Sequence, residues 1–456
     1  MHIILLSGGS GKRLWPLSHG TRTKVFLKLL TSPDGGKESM IQRVVRQLGD
    51  ADLLKSALVV SHHTQTEITR NHIGDRIPII SERHRRGTFP AVALATTYFY
   101  SKLHADEKDI VCFLPADQFV ESSFFDMIKR LPDILDRSGA ELSLIGTAPT
   151  HPSSQFGYIV PASESKTDYH RIERFVEKPD EQLAKQLIAQ KAMWNCGVYA
   201  FRLGFLLTIL KKANLPVLFD HLLEHMPQSS ELSFDREVAE RTTNSIMVPY
   251  PGTWLDLGSW DSLSARLGSP VTGTGTVSGQ AIDTHLVNEL DIPIHVIGGH
   301  SLIVAAGPDG ILVANKQESH QIKEILTDAE NHSQIMYEEK RWGTKKLLDY
   351  TAAGQTGCRT SRVRIAAGKH TSYHLHQRTG EKLLVLEGDG EIIKDGALIP
   401  VAAGQLLEFP PGCKHGLRAT TSLTYLEIHI GPHNVSSDHI QLDMDWPGEA
   451  VHSPND

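Results

Sequence analysis

The chain has 456 residues, 40% of them hydrophobic and 22% charged, which excludes disordered and fibrous classes and, at roughly 150 residues per domain, predicts about three domains. Lys and Arg number 46 against 53 Asp and Glu, a formal net charge of −7; this argues against wholesale binding to nucleic acid or a membrane surface but leaves room for a local basic pocket. Cys112, Cys196, Cys358 and Cys413 form no Cys-x-x-Cys pair, so neither a disulfide framework nor a zinc finger is expected, and with an apolar opening run of only Ile3 to Leu6 the expectation is a cytoplasmic protein.

From the start to about Leu267, short β-branched runs at Ile3–Leu6, Ala57–Ser61, Ile110–Leu114 and Leu142–Gly146 alternate with helical patterns at Glu38–Leu48 and Pro90–Leu103. Such alternation predicts βαβ units: an α/β, Rossmann-like domain over 1–267 with a mixed, mainly parallel sheet covered on both faces. Ligands of such sheets sit beyond the carboxyl ends of the strands. The Gly/Thr/Ser-rich stretch at 268–279 marks a boundary. A small β-rich connector over 268–336 follows, with strands at Ser301–Ala306 and Gly310–Ala314 and a helix at Glu318–Leu326 carrying Ile322, Ile325 and Leu326 on one face. Residues 337–440 read as all-β, with runs at Arg362–Ile365, Lys382–Leu386, Glu391–Ile393, Gln405–Phe409 and Leu423–Ile428 between Gly and Pro turns. Residues 441–456, poor in apolar side chains, read as a loose tail.

Directly after the first run, Ser7 to Leu14 reads SGGSGKRL, glycines that let backbone N–H groups approach an anion. On the glycines alone, a plain turn with solvated Lys12 and Arg13 fits as well. The run is neither a Walker A loop nor G-x-G-x-x-G. Continued through Trp15-Pro16-Leu17-Ser18 and Lys24 to Leu27, it resembles the signature of sugar-1-phosphate nucleotidylyltransferases, specifically the mannose-1-phosphate guanylyltransferase group, with Lys12, His19, Thr23 and Val25 as departures. Further segments are similar to that family in order: Glu82 to Ala91 to its purine segment, Leu114 to Asp117 to its metal segment, Phe156 to Ile159 to its sugar loop, Phe175 to Pro179 to FVEKP, Trp194 to Gly197 to WNSG, and Trp254 to Trp260 to WxDVGSW.

The resemblance implies transfer of GMP from GTP to mannose-1-phosphate, giving GDP-mannose and pyrophosphate. In such a transfer between polyanions, positioning and charge neutralisation dominate. It implies Arg13, Lys24, Asp117 and Asp256 as catalytic groups, with Asp117 and Asp256 holding Mg²⁺. It further implies Leu6, Gly8, Gly9, Gly11, Lys12, Glu82, Arg86, Thr88 and Pro90 around the nucleotide, and Gly157, Glu177, Lys178, Asn195 and Gly197 around the sugar phosphate. Gly87 and Phe89 depart from the purine segment, so another base or another sugar-1-phosphate stays open, as does a non-catalytic sugar-nucleotide sensor. Trp15, Trp194, Trp254 and Trp260 read as core or pocket wall.

Gly368 to Gly388 and Gly404 to His415 carry the two spacings of the cupin motif, with His374, His376, Glu381 and His415 as a three-His, one-carboxylate set suited to Zn²⁺, Mn²⁺ or Fe²⁺. The placement, with Arg341-Trp342-Gly343 before it, resembles the C-terminal domain of bifunctional type II phosphomannose isomerases. That likeness implies mannose-6-phosphate isomerase activity; a homodimer is expected, with no nucleic-acid or membrane partner. Thr379 stands where that family has Arg, His374 where it has Gln and Lys382 where it has His, so a cupin with only a structural role stays open.

Overall fold

The computed structural model describes residues 1–9, 12–84, 86–162, 168–226, 232–329, 335–353, 356–432, 438–443 and 446. The first region contains strands β1 (His2–Ser7), β2 (Ala57–His62), β3 (Ile79–Glu82), β4 (Ile110–Pro115), β5 (Leu142–Thr147), β6 (Tyr158–Pro161), β7 (His170–Val176), β8 (Met193–Arg202) and β9 (Ser245–Tyr250). They form one sheet in the order β3-β2-β1-β4-β8-β5-β9-β7-β6. Pairing is parallel across β3-β2-β1-β4 and between β5 and β9. It is antiparallel where β8 inserts between β4 and β5, and at β7.

Side chains alternate across a strand, so the near-continuous apolar runs feed two cores. Ile3, Leu5, Val59, Cys112 and Leu114 point to one face, under helices α1 (Met40–Asp50), α2 (Thr66–Ile73) and α4 (Ser123–Ser138). Ile4, Leu58, Val60, Val111 and Phe113 point to the other, under α3 (Thr88–Ser101) and the helix Leu203–Lys212. The start of α1 is fixed by a capping box in which the Ser39 hydroxyl accepts from Gln42 N–H and the Gln42 side chain answers to Ser39 N–H.

In the connector, Val271–Gly273, His285–Asn288 and Leu302–Gly307 stack in parallel, as do Gly275–Val277 and Ile294–Val296. These are successive coils of one short solenoid. Gly310–Asn315 closes it antiparallel to Leu302–Gly307. The connector shares a core with the chain after the glycine turn: Val287, Ile303 and Ala305 pack with Leu14, Leu17, Leu27, Leu257, Trp260 and Leu263. Its helix runs Ile322–Ala329, and of the three apolar residues expected on one face, Ile322 and Leu326 turn inward. Ile325 is 65% exposed, because residues three apart flank the i, i+4 stripe that meets the core.

The last region is a double sheet. One sheet holds Tyr337–Lys340, Gly343–Ala353, Thr356–Ile365, Leu423–Pro432, Gly380–Glu387 and Leu406–Phe409; the other holds Ala397–Ala402, Asp389–Lys394, His415–Ala419, Tyr373–His376 and His439–Asp443. Val363, Leu383, Val385, Ile392, Leu417 and Tyr425 fill the space between them. The strand His439–Asp443 runs through the position expected to open a loose tail: its backbone completes the ladder of Tyr373–His376, which an edge strand does without an apolar stripe.

Candidate active site

Two short strands bring the carboxylates together. The chain turns directly after β4, so Asp117 precedes the strand Gln118–Val120, and Trp254–Asp256 pairs with it antiparallel, Asp256 opposite Gln118. Lys24 sits at the start of a 3₁₀ turn anchored by the buried Val25 and Phe26. Its ammonium lies 2.7 Å from Asp117 Oδ2 and 2.9 Å from Asp256 Oδ1. Burial opposes the charge, but the two carboxylates outweigh it and hold Lys24 above its ordinary pKa.

On one side of this centre a cavity of about 190 Å³ is lined by Gly8, Gly9, Lys12, Arg13, Leu14, Thr23, Lys24, Asp117, Gly258 and Lys323. Gly9 has φ +119, a left-handed conformation that a Cβ would strain. Gly11 lies outside the described residues. On the other side a cavity of about 170 Å³ contains Gln155, Gly157, Glu177, Lys178, Asn195, Gly197, Asp235, Trp254 and Asp256, and shares Asp117 with the first. Arg13 links the two by donating from Nη2 to Gln155 Oε1 at 3.0 Å. A Cβ on Gly157 would stand 2.7 Å from Glu177 Oε2, so glycine there lets the Glu177 carboxylate close over the loop.

Glu82, Arg86 and Pro90 line a third cavity of about 220 Å³ with Arg83, His84, Leu94, Leu223, Glu224 and Met226. Burial lifts the Glu82 carboxyl to about 7, against a lowering pull from Arg86. Arg86 itself donates to Met226 O at 3.0 Å.

The structure thus gathers most of the expected nucleotide and sugar residues into two cavities that meet at Asp117 and a third around Glu82 and Arg86. It does not bring Leu6 or Thr88 to any of them. The Leu6 carbonyl accepts from Ala116 N–H within the fold, and the Thr88 hydroxyl accepts from Phe234 N–H at 2.8 Å, fixing the segment before Asp235. Trp260 and Trp194 are core residues, Trp254 is wall, and Trp15 packs against Gly310.

Sequence reasoning missed Asp235, whose Oδ1 accepts from Asn195 Nδ2 at 3.1 Å and from the Tyr199 hydroxyl. The Asn195 amide donates to that same hydroxyl at 2.6 Å. A carboxylate in SFDRE has no spacing that marks it; only the ladder placing Tyr199 and Asn195 beneath it does. Lys323 was missed for a similar reason, being far down the chain from every glycine-loop residue.

In the C-terminal double sheet, ligand atoms of His374, His376, Glu381 and His415 all lie within 4.8 Å of one another. Glu381 Oε2 is 2.8 Å from His415 Nε2 and 3.3 Å from His376 Nε2. Burial disfavours the Glu381 charge, but the hydrogen bonds to these histidines hold its pKa well down. His374 donates from Nδ1 to Ser372 O at 2.9 Å and His415 from Nδ1 to Cys413 O at 3.1 Å, while His376 Nδ1 faces Asp438 at 3.6 Å. Each Nε2 is thereby left toward the shared centre, the arrangement that orients metal-binding imidazoles. The set fits a divalent transition metal, and Asp117 with Asp256, two carboxylates that share the Lys24 ammonium, offers the oxygen donors that suit Mg²⁺. Beside the histidines, Glu427 pairs with half-buried Lys345 and lies 3.2 Å from His429. This was another cluster without a sequence signal.

Residues 2–267 match the model of the nucleotidyl transferase family. The chain belongs to that family. Residues 361–429 of this nucleotidyl transferase match the cupin domain. It is 26% identical to a putative mannose-1-phosphate guanylyltransferase of Vibrio cholerae, covering 96% of this chain and 99% of that protein. It is also 26% identical to the alginate biosynthesis protein AlgA of Pseudomonas aeruginosa, over 96% of each chain. Among solved structures it is similar to that of mannose-1-phosphate geranyltransferase from Thermus thermophilus, with TM-score 0.60 and 26% identity, covering 72% of this chain and 99% of that one. Among the described residues no helix is long and apolar enough to cross a membrane.

Proposed function

We propose that this nucleotidyl transferase moves GMP from GTP to mannose-1-phosphate. A phosphate oxygen of the sugar phosphate attacks the α-phosphorus, the bond from that phosphorus to the β-bridging oxygen breaks, and pyrophosphate departs with the electron pair. The observation that carries the reading is the single centre of Lys24, Asp117 and Asp256 set between a cation-lined cavity and a cavity of hydroxyl-binding groups. Arg13 and Lys24 neutralise the triphosphate, Gly8, Gly9 and Lys12 cradle it, and Glu82 with Arg86 reads the purine. Glu177, Asn195 and Asp235 accept or donate to sugar hydroxyls, and Lys178 meets the sugar phosphate. Asp117 and Asp256 would hold Mg²⁺, which supplies charge neutralisation on the phosphates. The nearly full-length likeness to guanylyltransferases named for mannose-1-phosphate supports the choice of substrates.

Purified protein with Mg²⁺, a panel of nucleoside triphosphates and several sugar-1-phosphates tests this through released pyrophosphate. Turnover is expected to be fastest with GTP and mannose-1-phosphate; a strong preference for UTP or ATP would overturn the guanylyl assignment.

A second reading attaches to the cupin, whose oriented His374, His376, Glu381 and His415 adjoin a cavity of about 300 Å³ lined by Lys345, Arg359, Thr379 and His429. Cations beside a metal set support isomerisation of a sugar phosphate. Conversion of fructose-6-phosphate by the full-length protein loaded with Zn²⁺, Mn²⁺ or Fe²⁺ tests it, and absence of turnover with all three would leave the cupin a structural role.

A further inference from the structure

One residue in the triphosphate-side cavity comes from outside the nucleotidyl transferase region. Gly8, Gly9, Lys12, Arg13, Leu14, Thr23, Lys24, Asp117 and Gly258 belong to residues 2–267, whereas Lys323 belongs to the connector helix Ile322–Ala329. That helix packs over the turn Lys12–Leu14. Its position is set from below by buried Ile322 and Leu326. The connector beneath is clamped to the loop between the glycine turn and Lys24. The shared core of Leu14, Leu17, Val287 and Ile303 joins the two, and Trp260, on the transferase side of that core, donates from Nε1 to Trp15 O at 3.0 Å. Gly307 and Gly310 permit the close approach, since a Cβ at either would stand 2.8 Å from Leu17 Cδ2 or 2.5 Å from the Trp15 ring.

The cavity's charge is lopsided. Four cations, Lys12, Arg13, Lys24 and Lys323, and one carboxylate, Asp117, line the cavity, a wall whose sign suits a polyanion. The cations also divide by position. Lys24 is tied to Asp117 and Asp256 at the centre, and Arg13 reaches toward Gln155 in the sugar-side cavity. Lys323 lines only the triphosphate side and has no part in the sugar-side wall.

We infer that Lys323 is a phosphate-binding residue contributed in cis by the connector, placed to meet the β- and γ-phosphates of the nucleotide and hence the departing pyrophosphate. The inference rests on the nucleotidyl-transfer reading of the cavity but not on the identity of base or sugar, because every nucleoside triphosphate carries the same two phosphates. It gives the connector a part in the chemistry: the helix that bears Lys323 packs on the turn that bears Lys12 and Arg13.

The test uses the full-length chain with Lys323→Ala, Lys323→Arg and, as a control on the same helix, Ile325→Ala. Initial rates in both directions and calorimetric titration with magnesium pyrophosphate are measured. For Lys323→Ala the KM of the nucleoside triphosphate, and the KM and Kd of pyrophosphate, should each rise about tenfold, the scale of one charge-assisted hydrogen bond. The KM of the sugar-1-phosphate should stay within error. Lys323→Arg should recover most of the loss, added salt should shrink the difference between wild type and Lys323→Ala, and Ile325→Ala should change nothing. Unaltered pyrophosphate binding in Lys323→Ala, an equal rise in the sugar-phosphate KM, or failure of Arg to rescue would each overturn the proposal. Rejection of GTP by the wild type in favour of another nucleotide would overturn the guanylyl reading while leaving the pyrophosphate titration to decide this one.

Discussion

At the residue scale, the function rests on a few charges whose neighbours fix their state. Asp117 faces both cavities and shares the Lys24 ammonium with Asp256. Asp117→Ala should therefore leave the fold intact and lower kcat by about 10²–10³, the usual cost of one preorganised electrostatic contact; near-normal pyrophosphate release would remove its role. Glu82 carries a second prediction. Its burial raises the carboxyl to about 7, so below that pH it is protonated and above it ionised. Guanine offers two neighbouring N–H donors on its pairing edge, which an ionised carboxylate accepts and a protonated one cannot. The KM for GTP should accordingly rise as pH falls from 8 to 6, by up to about tenfold per unit below 7, and Glu82→Gln should flatten the profile. A pH-independent KM in the wild type would separate Glu82 from base recognition. Lys24, Asp117 and Asp256 were legible because each stands in a segment that resembles a motif of the guanylyltransferase group. Asp235 and Lys323 were not, because nothing local distinguishes a carboxylate after a Phe, or a lysine on an amphipathic helix, from a solvated one.

At the scale of elements, periodicity revealed what faces a core and missed what is decided across the chain. The strands β1, β2, β4 and β5 and the helix α1 follow from apolar runs and i, i+3, i+4 spacing. The antiparallel insertion of β8 between β4 and β5 does not, since strand order depends on which edges are free after the helices cover the faces. His439–Asp443 escaped notice because an edge strand is specified by backbone hydrogen bonds rather than by side chains. Ser39 shows how local and distant terms combine. Its hydroxyl caps α1 and lies 2.8 Å from His72 Nδ1 on α2, so Ser39→Ala removes a cap and strands a buried imidazole nitrogen. We expect a loss of about 1–2 kcal/mol in urea unfolding with unchanged KM values. A loss below the error of the measurement would mean that the cap is replaced by water.

At the scale of the molecule, the catalytic loop, the connector and the cupin meet in one buried polar junction beside the active site. Arg22, two residues before Lys24, forms a two-pronged pair with Glu289 of the connector and lies over the ring of Tyr337 at the cupin's first strand. Asn71 and His72 of α2 meet Glu339 at 2.8 and 3.2 Å. His19 sits among Thr21, Arg22, Glu289, Asp309, Tyr337 and Glu338, and its Nδ1 accepts from Arg22 N–H. The remaining proton is therefore on Nε2, toward Asp309 at 3.8 Å. Burial, reinforced by Arg22, lowers His19 from 6.5 to about 4. With the folded value below the unfolded one, stability is full above about pH 6.5 and falls as pH drops toward 4, because the unfolded chain takes up the proton first. The integral over that window is on the order of 3 kcal/mol. The urea midpoint of the full-length protein should fall steeply between pH 6.5 and 4.5, and His19→Gln, which keeps an acceptor without titrating, should be less stable at pH 7.5 yet lose less over the same interval. The junction reaches Lys24 through two residues of backbone, so acid should also weaken turnover before global unfolding, and in His19→Gln that loss should shift to lower pH. An identical acid profile in wild type and variant would place the sensitivity elsewhere in the chain.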